Sequence, residues 1–179
     1  MSEPPARLFV ALELGAESRI ASAQWAAGLG RPELRPVAAG ALHVTLCFLG
    51  DVAVGEVPAI VDALASSPLG AVGPRDVARV RWLPPRRPRV LALELSDPDN
   101  ALRDLQAAVA GALEPGGWYR AGRRRYLPHL TVARVRAPVE RTRAGVPALA
   151  VRPEAVALLR SHLGGGSARY ERLAIWPIR

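Results

Sequence analysis

His43-Val44-Thr45-Leu46 and His129-Leu130-Thr131-Val132 are two copies of one short string, placed about half a chain apart in a sequence of 179 residues. In a β-strand successive side chains point to opposite faces, so His43 and Thr45 share one face, as do His129 and Thr131, with about 6.5 Å between their Cα atoms. Each strand then offers an imidazole beside a hydroxyl. Two such strands facing one another would frame a cleft holding two imidazoles and two hydroxyls. The spacing of the copies is that of two lobes, each contributing one strand. The rest of the two halves aligns poorly, so any duplication is structural.

Outward from these strings the chain alternates short apolar runs with amphipathic segments. Strands are predicted at Arg7 to Leu14, Leu42 to Leu49, Val77 to Leu83, Arg89 to Leu95 and Tyr126 to Val135. Helices are predicted from Ala16 to Leu29, Glu56 to Ala65 and Pro98 to Leu113, the last with Asp97 and Asp99 at its start, where acidic groups suit the helix dipole. Pro84-Pro85-Arg86-Arg87-Pro88 is a loop, because proline cannot donate to a sheet ladder. Ala155 to Ser161 and Tyr170 to Ile178 flank Gly164-Gly165-Gly166 and read as a hairpin with a glycine tip, on which His162 is a hairpin residue. No linker-like stretch divides the chain. A single α+β domain over 1–179 is expected, with enough length to bury a core of its own.

Composition narrows the function classes. Half of the residues are hydrophobic and 22% are charged, a globular balance that excludes disorder as the whole description. The lone Cys47 cannot form an internal disulfide, and no stretch approaches the ~20 apolar residues that span a bilayer. No signal peptide is framed at the start, so a cytoplasmic protein without a membrane partner is expected. The net charge is +8 and every one of the 24 basic residues is arginine, whose planar fork binds phosphate bidentately and stacks on bases. An anionic partner such as nucleic acid fits that charge. Coding bias toward Ala, Arg, Pro and Gly is a second source of the same arginine excess.

The doubled His-x-Thr meets the needs of phosphodiester cleavage without a metal or other cofactor. One neutral imidazole takes a proton from attacking water, a protonated one gives a proton to the leaving oxygen, and hydroxyls hydrogen-bond the phosphate oxygens. Histidine serves both roles because its ordinary pKa of about 6.5 keeps both forms accessible. A single His-x-Thr is commonly a satisfied histidine at a sheet edge. Two copies in the same frame, in a chain with three histidines, are harder to assign to chance. As a metal site the pair is poor, since zinc wants three or four ligands and no Cys or carboxylate cluster accompanies either histidine.

His43-Val44-Thr45-Leu46-Cys47-Phe48-Leu49-Gly50 and Pro128-His129-Leu130-Thr131-Val132-Ala133-Arg134 resemble the two signature motifs of the two-histidine (2H) phosphoesterase superfamily, and within it the bacterial and archaeal RNA 2',3'-cyclic phosphodiesterases, also called 2'-5' RNA ligases. The likeness spans nearly the whole chain, from Arg7-Leu8-Phe9-Val10-Ala11-Leu12 to Tyr170 through Trp176. It implies a bilobal fold, two pseudo-symmetric lobes each with an antiparallel-rich sheet and outer helices, and a groove between them. It implies metal-independent hydrolysis of RNA 2',3'-cyclic phosphate ends to 2'-phosphomonoesters, with reverse 2'-5' ligation as an accompanying activity. His43 would be proton donor, His129 proton acceptor, and Thr45, Thr131 and Arg134 phosphate ligands. The chain would act as a monomer.

Further candidates stand beside these. Strict alternation turns Phe48 and Arg134 away from their histidines, so they reach a cleft only if the strands twist or bulge. By the same alternation Cys47 shares the His43 face, as a small packing residue. Tyr126 could supply a stacking ring for a base, and Arg123, Arg124 and Arg125 could contact RNA phosphates, as could Arg86, Arg87 and Arg89. The four tryptophans are read as core or rim. Pro36 and Ala92 stand where relatives often carry an aromatic. Two other functions fit the same residues: a phosphodiesterase for a small cyclic-phosphate or 2'-5' linked nucleotide, and a non-catalytic RNA-binding module.

Overall fold

The apolar positions of Leu8, Val10 and Leu12 alternate along the first strand and are completely buried, and the same alternation in four further strands builds one side of the core. In the computed structural model, which describes residues 4–140, 144–162 and 169–178, the elements run β1 (Ala6–Leu14), α1 (Ala16–Gly28), β2 (Leu34–Pro36), β3 (His43–Val52), α2 (Val57–Ala65), β4 (Arg75–Leu83), β5 (Val90–Leu95), α3 (Ala101–Leu113), β6 (His129–Val135), β7 (Ala150–Val151), β8 (Pro153–His162) and β9 (Arg169–Pro177). The expected strands and helices are present to within a few residues. The glycine tip at Gly164-Gly165-Gly166 lies outside the described residues.

The strands form an antiparallel sheet in the order β7-β4-β5-β6-β3-β1-β8-β9, with β2 laid along part of β6. Its two halves meet weakly. β3 and β6 share one bridge, Val44 opposite Leu130, whereas β1 pairs with β3 over eight positions and with β8 over seven. Beyond that bridge β2 takes over the free edge of β6, from Leu34 opposite Val135 to Pro36 opposite Ala133. The lobes are therefore β7-β4-β5-β6-β2 and β3-β1-β8-β9, and the doubled strings sit on the two strands at their joint.

The helices cover one face. Ile60 and Leu64 of α2 and Leu102, Leu105, Val109 and Leu113 of α3 are buried against Val44, Leu46, Leu91, Leu93, Leu130 and Val132. Although α1 follows β1, it packs toward β2, β6 and β7, and α3, which follows β5, packs on β3. Each of these helices thus rests on the lobe its preceding strand does not belong to. At the start of α3, Asp97 accepts the backbone N–H of Leu102 at 2.9 Å and of Arg103 at 3.3 Å, satisfying donors a helix terminus leaves free. The opposite sheet face carries a second, smaller apolar cluster of Phe9, Ala11, Ala157 and Leu159 with Tyr170 against it.

Two short strands, β2 and β7, escape a reading of the sequence because a Pro-containing triplet and a dipeptide carry no periodicity. β6 begins at His129 rather than Tyr126. Pro128 has no N–H to give a ladder, and its carbonyl instead accepts Leu95 N–H at 3.0 Å. Among the described residues no helix is long and apolar enough to cross a membrane.

Candidate active site

The two doubled strings fold alike down to the pattern of burial. Along His43–Leu49 and along His129–Val135 the seven positions read half-buried, buried, half-buried, buried, buried, exposed, half-buried in both strands. The adjacent buried pair marks a bulge. On β3, Thr45 opposes Ala11 and Cys47 opposes Val10, leaving Leu46 without a partner. On β6, Thr131 opposes Ala92 and Ala133 opposes Leu91, leaving Val132 without one. One extra residue reverses the alternation beyond it. Phe48 and Arg134 are thereby turned back to the face of their histidines, which strict alternation denied them.

The same bulge corrects the placement of Cys47. Rather than sharing the His43 face, the thiol is 1% exposed on the helix side, where Gln106 Nε2 approaches it at 3.7 Å. Burial pushes its pKa up to about 12, so the thiolate that a nucleophile requires is suppressed.

His43, Thr45, Phe48, His129, Thr131 and Arg134 line one open cavity of about 410 Å³, the size of a small-ligand site. Each histidine is held the same way. His43 Nδ1 lies 2.9 Å from the carbonyl of Ala41, and His129 Nδ1 lies 2.8 Å from that of Leu127, in both cases two residues upstream. A carbonyl only accepts, so Nδ1 carries the proton and donates it, and the neutral ring keeps its lone pair on Nε2. Either ring can then take a proton at Nε2, or give one from there when charged.

The surroundings of His43 are aromatic. Its ring centroid is 5.0 Å from that of Phe9 and 5.1 Å from that of Tyr170, and those two are 5.1 Å apart. Removal of water lowers the His43 pKa below its ordinary value; the hydrogen bond to Ala41 opposes this, Arg134 adds to it, and Glu13 opposes it. Glu13 is the cross-strand partner of His43 and is gripped by Arg172 through two bonds of 3.0 and 2.8 Å. Glu94 is likewise the partner of His129 and pairs with Arg81.

Not every candidate comes to the cavity. Tyr126 does not line it; its hydroxyl donates to the carbonyl of Thr45 at 3.0 Å, and burial pushes its pKa up. The ring supports β3 and is not presented for stacking. Arg123, Arg124 and Arg125 are exposed in the loop before β6, outside the cavity lining. His162 pairs with Glu171 across the β8-β9 hairpin at 2.9 Å, in keeping with a hairpin residue. Conversely, Arg7, Phe9, Arg35, Ser161 and Tyr170 line the cavity although the sequence does not single them out. Arg7 places its guanidinium 4.7 Å from the Phe48 ring, a cation–π contact across the bulged β1-β3 ladder that no local motif announces. Among the described residues no three His, Cys, Asp or Glu side chains gather into a metal-binding group.

Comparison with known proteins places the chain in a family. The family model of the 2'-5' RNA ligase superfamily matches residues 14–165. The chain is 37% identical over 143 residues to an Escherichia coli (strain K12) protein named RNA 2',3'-cyclic phosphodiesterase, an alignment covering 75% of this chain and 74% of that one. Among solved structures, E. coli LigT complexed with 3'-AMP superposes with a TM-score of 0.79 at 30% identity, covering 98% of this chain and 99% of the other. A protein of Thermus thermophilus gives a TM-score of 0.77 at 26% identity, covering 97% and 98%.

Proposed function

The chain belongs to the 2'-5' RNA ligase superfamily, and from that premise we propose that it hydrolyses RNA 2',3'-cyclic phosphate ends to 2'-phosphomonoesters by paired-histidine acid–base chemistry. The observation that carries this reading is the identical tethering of two imidazoles in one cavity, Nδ1 fixed on a carbonyl and Nε2 left for the substrate. His129 Nε2 takes a proton from water as its oxygen attacks phosphorus. The bond from phosphorus to O3' breaks, and His43 Nε2–H gives its proton to that oxygen, leaving the phosphate on O2'. Each proton transfer is worth roughly 10²- to 10⁴-fold in rate.

The remaining residues follow from charge. Thr45 and Thr131 hydrogen-bond the non-bridging oxygens, and Arg134 meets the negative charge that grows on them, in a site where preorganised donors act strongly. Desolvation of His43 makes its charged form the stronger acid, and the substrate's anionic phosphate, beside Glu13, holds the proton there until transfer. A 5'-hydroxyl RNA end in the place of water would form a 2'-5' phosphodiester by the same two transfers. Arg123, Arg124 and Arg125 are assigned to RNA backbone phosphates beyond the cavity. The relative's name supports the RNA end as substrate, and LigT's complex with 3'-AMP supports nucleotide binding in this fold.

The test is product identity. A short RNA ending in a 2',3'-cyclic phosphate, incubated with the protein and EDTA, yields a 2'-phosphate by this account. A 3'-phosphate, or activity abolished by EDTA and restored by a metal, contradicts it. Turnover of small cyclic nucleotides with none of RNA ends would move the assignment to a nucleotide phosphodiesterase, and RNA binding without turnover to a binding module.

A further inference from the structure

Arg35 and Arg134 stand directly opposite one another on β2 and β6, and both line the cavity. Like charges at facing positions of a ladder repel. No ion pair offsets them: among the described residues neither side chain joins one, and the cavity lining contains no carboxylate. Arg7, by contrast, is engaged with Asp51 and Phe48 on the other side of the cavity. The pair is also imposed by the fold, since the Val132 bulge is what turns Arg134 onto the face that Arg35 occupies.

Resting on the function proposed above, a cyclic phosphodiester brings a single negative charge, which Arg134 and a protonated imidazole already answer. We propose that Arg35 holds a second phosphate, the one on O5' of the terminal ribose, so that the site takes 2',3'-cyclic phosphate ends carrying a 5'-phosphate or phosphodiester in preference to bare nucleoside 2',3'-cyclic phosphates. Two arginines side by side on neighbouring strands can each fork onto one phosphate of the same nucleotide. The 5'-phosphate of an RNA end and that of a small 5'-phosphorylated nucleotide offer the same chemistry to Arg35.

The experiment measures kcat/KM for three substrates sharing one base: the nucleoside 2',3'-cyclic phosphate, its 5'-phosphorylated form, and the dinucleotide ending in the same cyclic phosphate. The expected result is at least a tenfold advantage for both 5'-substituted substrates. Arg35→Gln should bring that ratio close to one, and Arg35→Lys should retain part of it, which a merely structural role would not separate. A dinucleotide preferred over the 5'-phosphorylated nucleotide assigns the source to RNA; equality of the two assigns it to the shared phosphate alone, and both support the Arg35 subsite. Equal kcat/KM on all three substrates, or an advantage that survives Arg35→Gln, overturns it while leaving the cyclic phosphodiesterase reading intact. No turnover of any of the three overturns that reading, and the inference with it.

Discussion

In the proposed reaction, His43 is the residue whose environment most shapes the chemistry. Its charged form is disfavoured first by desolvation beside Phe9 and Tyr170 and then by Arg134. A proton donor must carry its proton before it can give one, so activity falls as pH rises through its pKa. Because kcat/KM reports the free enzyme, its alkaline limb should lie below the ordinary imidazole value of about 6.5. Glu13 works against the lowering, so Glu13→Gln should move this limb to still lower pH; a limb that moves up, or stays fixed, contradicts the assignment of His43 as donor. Cys47 gives a second expectation at this scale. With its pKa raised to about 12 by burial, it should resist iodoacetamide in the native protein and react only on unfolding, and Cys47→Ala should retain turnover.

At the scale of elements, the two bulges decide what the cavity contains. The sequence makes the doubled His-x-Thr strands visible because polar and apolar residues alternate cleanly from 43 to 46 and from 129 to 132. It does not show that Leu46 and Val132 drop out of the ladder, because two consecutive apolar residues look the same in a bulge and in a continuous strand. Hence strict alternation places Phe48 and Arg134 only conditionally and puts Cys47 on the wrong face. Arg35 is hidden in the sequence for a different reason: β2 is three residues long, and what gives Arg35 meaning is its pairing with a residue about a hundred positions away. Tyr126 is kept from the cavity by a hydrogen bond to the Thr45 backbone, a tertiary contact without a local sign. The joint between the lobes is testable here. Val44 and Leu130 form its one bridge, and Leu130 is fully buried. Leu130→Ala should lower stability by about 2–5 kcal/mol in denaturant titrations; a loss well under ~1 kcal/mol would show that the joint does not depend on this packing.

For the whole molecule, the crossing of α1 and α3 onto opposite lobes leads to the prediction that the described chain unfolds as one unit. Helical circular dichroism, tryptophan fluorescence and activity should then be lost in coincident transitions, whereas two separated transitions would assign each lobe its own stability. The net charge of +8 acts at the same scale. If the arginines outside the cavity guide RNA, KM for a longer cyclic-phosphate RNA should rise steeply with salt, with a log–log slope of about 0.7 per phosphate contacted, and KM for a nucleoside cyclic phosphate should rise much less. Whether the two carbonyl-tethered imidazoles carry out the two proton transfers is decided by single-turnover hydrolysis of a cyclic-phosphate RNA by the unaltered chain, His43→Ala and His129→Ala, with folding checked by circular dichroism. Each variant should fold, bind RNA and lose about 10²- to 10⁴-fold in rate. Either folded variant turning over at the unaltered rate would contradict it.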